Sequence, residues 1–140
     1  MPSSLSGLTA CVQSHFIVSI ARTEDLQPLL CLAGSVCFPC GMFINIQSDT
    51  ILKNLRRDGE TGYKIPYGGM FRFVSSPNYL GEIIEWIGFA MIAQTSASTW
   101  FALFSVTFLG WRAIKTHQWY CDKFKSDYPR DRAAVLPGLL

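Results

Sequence analysis

The chain has 140 residues, twelve Lys and Arg against ten Asp and Glu, and a formal net charge of +2. That length holds one modest folded unit with no room for a separate cofactor domain, and so small a charge excludes the electrostatic footprint of a nucleic-acid binder. Only 16% of residues are charged while 49% are apolar and 14% aromatic, a balance that points to lipid as a partner. Five cysteines, Cys11, Cys31, Cys37, Cys40 and Cys121, leave one over in any pairing scheme, against a secreted disulfide scaffold. Cys37 and Cys40 have redox-motif spacing, but no charged or His neighbour is there to lower a thiol pKa. They read as small apolar side chains.

Taken in chain order, residues 1–24 read as a divergent leader. No Lys or Arg precedes the apolar patch Phe16 to Ile20, so this is not a secretory signal. From Leu26 to Ser48 no residue is charged, a run of 23 positions, where about 20 suffice to cross a ~30 Å hydrocarbon core. This predicts a spanning helix, with a kink at Pro39 and Gly41. The polar stretch from Asp49 to Phe73 begins helical, because Asp49, Lys53 and Arg56 share one face at spacings of four and three. It then becomes a loop, with turns at Asp58-Gly59 and Gly68-Gly69 around an extended Tyr63 to Pro66.

Ser75-Ser76-Pro77 predicts a helix start, with a serine to cap and proline at the first helical position. Asn78, Glu82 and Glu85 fall on one side of that helix. From Trp86 to Trp111 there are 26 uncharged residues broken by the polar Gln94 to Thr99. The preceding loop carries five Lys or Arg against three acids, and the tail from Arg112 to Arg132 carries six against three, so both ends are expected on the cytoplasmic side. An even number of crossings follows: a tight hairpin turning near Thr95 to Ser98, with shortened or tilted arms. The tail continues as an amphipathic helix until Pro129. The fold class is thus all-α, a multi-spanning membrane protein of about three transmembrane helices with a polar cytoplasmic loop and an amphipathic C-terminal helix.

No Ser-His-Asp or Cys-His arrangement is evident, and the two histidines, His15 and His117, make a zinc site improbable. Asp49, Glu82 and Glu85 are surrounded by cations, which disfavours a bound hard metal, so no metal is expected. The remaining feature is a set of cations, Lys53, Arg56, Arg57, Lys64, Arg72, Arg112 and Lys115, near carboxylates and amides. Arg pairs phosphate through two parallel bonds, and carboxylates and Asn bind ribose and amide groups, so a phosphorylated dinucleotide satisfies the set. Anchoring to anionic lipid satisfies the cations equally well.

Three long, ordered runs carry a family resemblance: Gly41 to Asp49, Leu55 to Gly69, and Asn78 to Gly88. The ending Phe108 to Ala113 with Trp119-Tyr120 fits the same pattern. The chain over about residues 41 to 140 resembles the carboxy-terminal half of steroid 5-alpha-reductases (3-oxo-5-alpha-steroid 4-dehydrogenases). Asn78 to Glu82 alone would be shared with wider membrane sterol reductases and isoprenylcysteine methyltransferases, but the Gly59 to Gly69 segment disfavours those.

The resemblance implies a multi-pass enzyme of the endoplasmic reticulum membrane that reduces the 4,5 double bond of a 3-oxo-4-ene steroid with NADPH. By match, Asn45, Asp49, Arg56, Tyr63, Asn78, Glu82, Arg112 and Tyr120 are the cofactor-binding positions, within a carboxy-terminal membrane domain at residues 25–140. No catalytic residue is assigned, because the Glu and Tyr that grip the 3-keto group in the family belong to helices without a counterpart before residue 25. Where the family often carries His after the arginine matching Arg112, this chain has Lys115 and Thr116 before His117. The alternative is a truncated, noncatalytic membrane fragment or binding module that associates with a full-length relative.

Overall fold

The computed structural model describes residues 27–55 and 62–136. Three α-helices dominate: α1 (Pro28–Leu55), α2 (Pro77–Ala93) and α3 (Ser96–Phe124), with 3₁₀ turns at Gly69–Arg72 and Lys125–Asp127. Between described elements the only bridge is Val74 with Ala133, and no strand is formed among these residues. Helix α1 contains Pro39 and runs on past Ser48 into the charged stretch, so Asp49 to Leu55 belongs to the same helix. Among the described helices only α1 is both long and apolar enough to cross a membrane. At 17 residues α2 rises about 25 Å, short of a ~30 Å core.

Helices α1 and α2 pack backbone to backbone. A Cβ on Gly41 would lie 2.5 Å from both the Gly81 carbonyl oxygen and the Glu85 nitrogen, and one on Gly34 would lie 2.6 Å from the Gly88 carbonyl oxygen. A Cβ on Gly81 would in turn meet the Asn45 backbone nitrogen at 2.6 Å. Without side chains at these points the helices approach as small-residue membrane helices do, and dispersion between backbones replaces side-chain interdigitation. The pairing of 34 with 88 and 41 with 81 makes the helices antiparallel.

The polar break folds as a hairpin, slightly earlier than its composition predicts. Helix α2 ends at Gln94 in the left-handed conformation (φ 47°), and Thr95 caps α3. The Ser98 N–H donates to Thr95 Oγ1 at 3.2 Å, and the Thr95 N–H donates to Ser98 Oγ at 3.3 Å, satisfying two helix-end donors reciprocally. Gln94 also clamps the start of α1, accepting from the Gln27 N–H at 2.9 Å and donating to the Gln27 carbonyl at 3.0 Å. Trp86 then meets Phe101 edge-on at 4.6 Å, which holds the arms together. The amphipathic tail is no separate helix: α3 passes through Arg112 to Phe124 without interruption.

The hairpin returns the tail to the loop before α2. The Ser75 N–H donates to the Ala133 carbonyl at 2.9 Å, and the Ala133 N–H donates to the Phe73 carbonyl at 3.0 Å. Val74, fully buried, packs with Leu80 and Ala133. Loop and tail therefore share one end of the bundle. Pro77 stands at the first helical position of α2 as predicted, but Ser76, its N-cap, makes no side-chain capping bond.

Candidate functional site

The positions singled out in the sequence fall into two groups at this shared end. One lies on the seam between α1 and α2. Asn45 faces Gly81 through its backbone, and the antiparallel register brings it level with the first turn of α2, where Asn78 and Glu82 sit half-buried. Asp49 follows one turn later on α1 and is exposed.

The second group lines α3. Leu52 and Leu55 from α1, Gly62, Tyr63 and Lys64 from the loop, and Thr116, Trp119 and Tyr120 from α3 enclose a cavity of about 190 Å³. Tyr63 enters it with its ring edge-on to Trp119 at 4.9 Å, and Trp119 meets Tyr120 edge-on at 5.1 Å. Beside it, Trp111, Arg112, Lys115, Thr116 and Trp119 frame an open cavity of about 310 Å³. Thr116 and Trp119 belong to both, so the two are adjoining parts of one cleft along α3. Arg112 is exposed, with its guanidinium 5.5 Å from the centre of the Tyr79 ring and 5.9 Å from that of Phe108. Cation–π contact of this kind holds a guanidinium in place while leaving its N–H groups available to an anion.

Tyr63, Arg112 and Tyr120 are thus brought together, and Asn45, Asn78 and Glu82 form the neighbouring seam. Arg56 lies outside the described residues, as do Arg57, the Asp58-Gly59 turn and the 1–24 leader. Thr116 and Trp119 are not among the cofactor-binding positions expected from the sequence. Their signal was helical spacing, since Thr116 precedes Trp119 by three residues and Tyr120 by four. Lys115 lines the outer cavity, so the Lys115-Thr116 departure keeps a second cation on this face.

His117 turns instead toward the tail. Its Nδ1 lies 2.6 Å from Ser75 Oγ, its Nε2 lies 3.6 Å from Cys121 Sγ, and its ring meets Tyr128 edge-on at 5.9 Å. Burial pushes the His117 imidazole below its ordinary range. Nearby, Arg132 is 5% exposed and lies between the rings of Tyr67 at 4.9 Å and Tyr128 at 5.4 Å.

The chain is similar to several characterised proteins. It is 47% identical over 135 residues to 3-oxo-5-alpha-steroid 4-dehydrogenase 1 of Mus musculus, a match that takes in 95% of this chain and 52% of that protein. With 3-oxo-5-alpha-steroid 4-dehydrogenase 2 of Homo sapiens it shares 50% identity over 128 residues, 90% of this chain and 50% of the relative. With steroid 5-alpha-reductase DET2 of Gossypium hirsutum it shares 47% over 106 residues, 76% of this chain and 41% of the relative. The chain therefore spans about half the length of the curated relatives it matches. A family model described as 3-oxo-5-alpha-steroid 4-dehydrogenase matches residues 4–140, which takes in most of the stretch set apart above as a leader. Matched along almost its whole length, the chain belongs to the 3-oxo-5-alpha-steroid 4-dehydrogenase family, a family of oxidoreductases.

Proposed function

We propose that this chain supplies the NADPH-binding half of a steroid 5-alpha-reductase, a multi-pass enzyme of the endoplasmic reticulum membrane that reduces the 4,5 double bond of 3-oxo-4-ene steroids. The observation that carries the reading is the cleft along α3, where two cations, Arg112 and Lys115, border an aromatic pocket of Tyr63, Trp119 and Tyr120. The donor set fits the cofactor. Cations match its phosphates, aromatic faces match its flat rings, and the amides and carboxylates of Asn45, Asp49, Asn78 and Glu82 match ribose hydroxyls and a carboxamide. Arg56 joins this set by family match.

NADPH, when bound, supplies a hydride to the steroid C5. The roles of this chain are to bind and orient. Arg112 and Lys115 would neutralise phosphate charge, Tyr63 and Trp119 would hold a flat ring, and Asn78 and Glu82 would orient the cofactor by hydrogen bonds. Conjugate reduction would place negative charge on the 3-keto oxygen as the C3–C4 double bond forms, with a solvent-derived proton completing the product at C4. A hydrogen-bond donor at that oxygen lowers the barrier, and in the family it belongs to helices beyond the matched half.

Membranes containing the chain should convert testosterone or progesterone to the 5-alpha-reduced product when given NADPH, followed by product chromatography. A second reading is favoured by the chain matching only about half the length of its relatives. In it the chain binds NADPH, turns over no steroid alone, and acts through association with a full-length relative. NADPH binding without turnover, with copurification of the relative, separates the second reading from the first. Absence of NADPH binding sinks both.

A further inference from the structure

Three parts of the chain meet at one buried hydroxyl, that of Ser75, which is 2% exposed and stands just before α2. The Tyr128 hydroxyl donates to Ser75 Oγ at 2.6 Å, His117 Nδ1 lies 2.6 Å away, and the Ala133 carbonyl lies at 3.1 Å. We assign the single Ser75 proton to the Ala133 carbonyl, which only accepts, and so leave His117 Nδ1 as a donor to Ser75 Oγ. The Tyr128 O–H and a His117 Nδ1–H then both point at Ser75 Oγ. This one arrangement fills the donor and both acceptor positions of the hydroxyl. It makes His117 the Nδ1–H tautomer, with Nε2 left to accept from the Cys121 thiol at 3.6 Å.

Each arm of this junction ends beside the proposed cleft. Ser75 precedes Asn78 by three residues, and His117 precedes Tyr120 by three on α3. Tyr128 stacks on Tyr120, with centroids 5.4 Å apart and planes at 14°. We infer that the Ser75–His117–Tyr128 junction positions Asn78 and Tyr120 for cofactor binding, with the neutral imidazole of His117 as its proton-sensitive member. The inference rests on the NADPH reading above.

Burial favours the neutral form of His117, and the charged groups that face it are cations. Lys125 from the 3₁₀ turn and Arg130 from the tail line a cavity of about 590 Å³ with His117, Cys121, Ser126 and Tyr128. From the α2 side the facing group is the uncharged Ser75. A protonated ring would add a third positive charge and turn Nε2–H onto a thiol, a poor acceptor. Acid therefore loosens the junction from its centre.

The test follows NADPH binding by energy transfer from tryptophan in the full chain, in detergent micelles, from alkaline to mildly acid pH. Tyr128→Phe keeps the stack on Tyr120 and removes only the O–H, so it should weaken binding about fivefold, the effect of losing one buried hydrogen bond. His117→Leu should weaken binding to a similar degree. His117→Asn, whose amide N–H replaces Nδ1–H and does not titrate, should bind within about twofold of wild type at alkaline pH. It should also lose the part of the acid-side fall that wild type shows beyond the titration of the cofactor phosphate. If Tyr128→Phe does not fold, the contrast between His117→Asn and His117→Leu carries the test. Imidazole nitrogen shifts in a His15→Gln background should report the Nδ1–H tautomer. Wild-type affinity in both Tyr128→Phe and His117→Leu, an unchanged pH profile in His117→Asn, or an Nε2–H tautomer overturns the positioning role. Absence of binding by wild type overturns the NADPH reading itself.

Discussion

The two sides of the proposed cleft are held by opposite means. The seam between α1 and α2 is backbone against backbone, with Gly34, Gly41, Gly81 and Gly88 leaving no space for a methyl group. The side formed by α3, the loop and the tail is held by side chains: stacked and edge-on rings, a buried guanidinium, and hydrogen bonds centred on Ser75. The first should fail by steric exclusion, abruptly and at any pH. The second should fail by degrees, according to which donor or ring is removed and to the state of His117.

The largest expected effect is on the seam. Gly81→Leu places its Cβ against the Asn45 backbone and must push α1 away, with an expected loss beyond about 3 kcal/mol, the upper end for overpacking. Thermal unfolding in micelles would measure it, and NADPH binding should disappear with it. Arg132→Ala on the other side removes a buried stem and two cation–π contacts, and should lower stability by about 2 kcal/mol. If Gly81→Leu proved milder than Arg132→Ala, the contrast between the two sides would collapse.

Thr95→Ala removes the acceptor for the Ser98 N–H and should cost about 1 kcal/mol in the same melts, a control lying at the far end of the hairpin from the cleft. The pH response is expected to be gentler. The folded pKa of His117 lies below its unfolded value, so its neutral form contributes stability that is fully present above about pH 6.5 and is lost as pH falls below that range. Melting temperature should therefore drop on acidification more in wild type than in His117→Asn, while Gly81→Leu stays damaged throughout. The smallest effect is at exposed Asp49, where Asp49→Ala should move stability by less than about 0.5 kcal/mol yet weaken NADPH binding. A melt change as large as that of Thr95→Ala would make Asp49 a structural residue.

Much of the architecture was legible. The uncharged run after Leu26, the proline at position 77 and the polar break near Gln94 each bear on the local backbone directly, and each marks an element that forms. The amphipathic tail, counted apart in the expected fold class, is continuous with α3, since nothing between Trp111 and Phe124 breaks a helix. Capping by the serine pair was half right. Ser76 takes the N-cap place without a capping bond, and the hydroxyl of Ser75 is engaged by Ala133, Tyr128 and His117.

The sequence by itself determined where helices run, which residues share a face, and that basic segments flank both ends of the hairpin, because these depend on local periodicity, chain stiffness and charge. Even the seam left a trace, as both glycine pairs are spaced seven residues apart. Only the tertiary structure decided that those pairs oppose each other, that Tyr63 meets Trp119, and that Ser75 meets Ala133 across 58 residues. Such contacts are fixed by how finished helices pack and by which buried hydroxyl needs a partner, and no spacing along the chain encodes either.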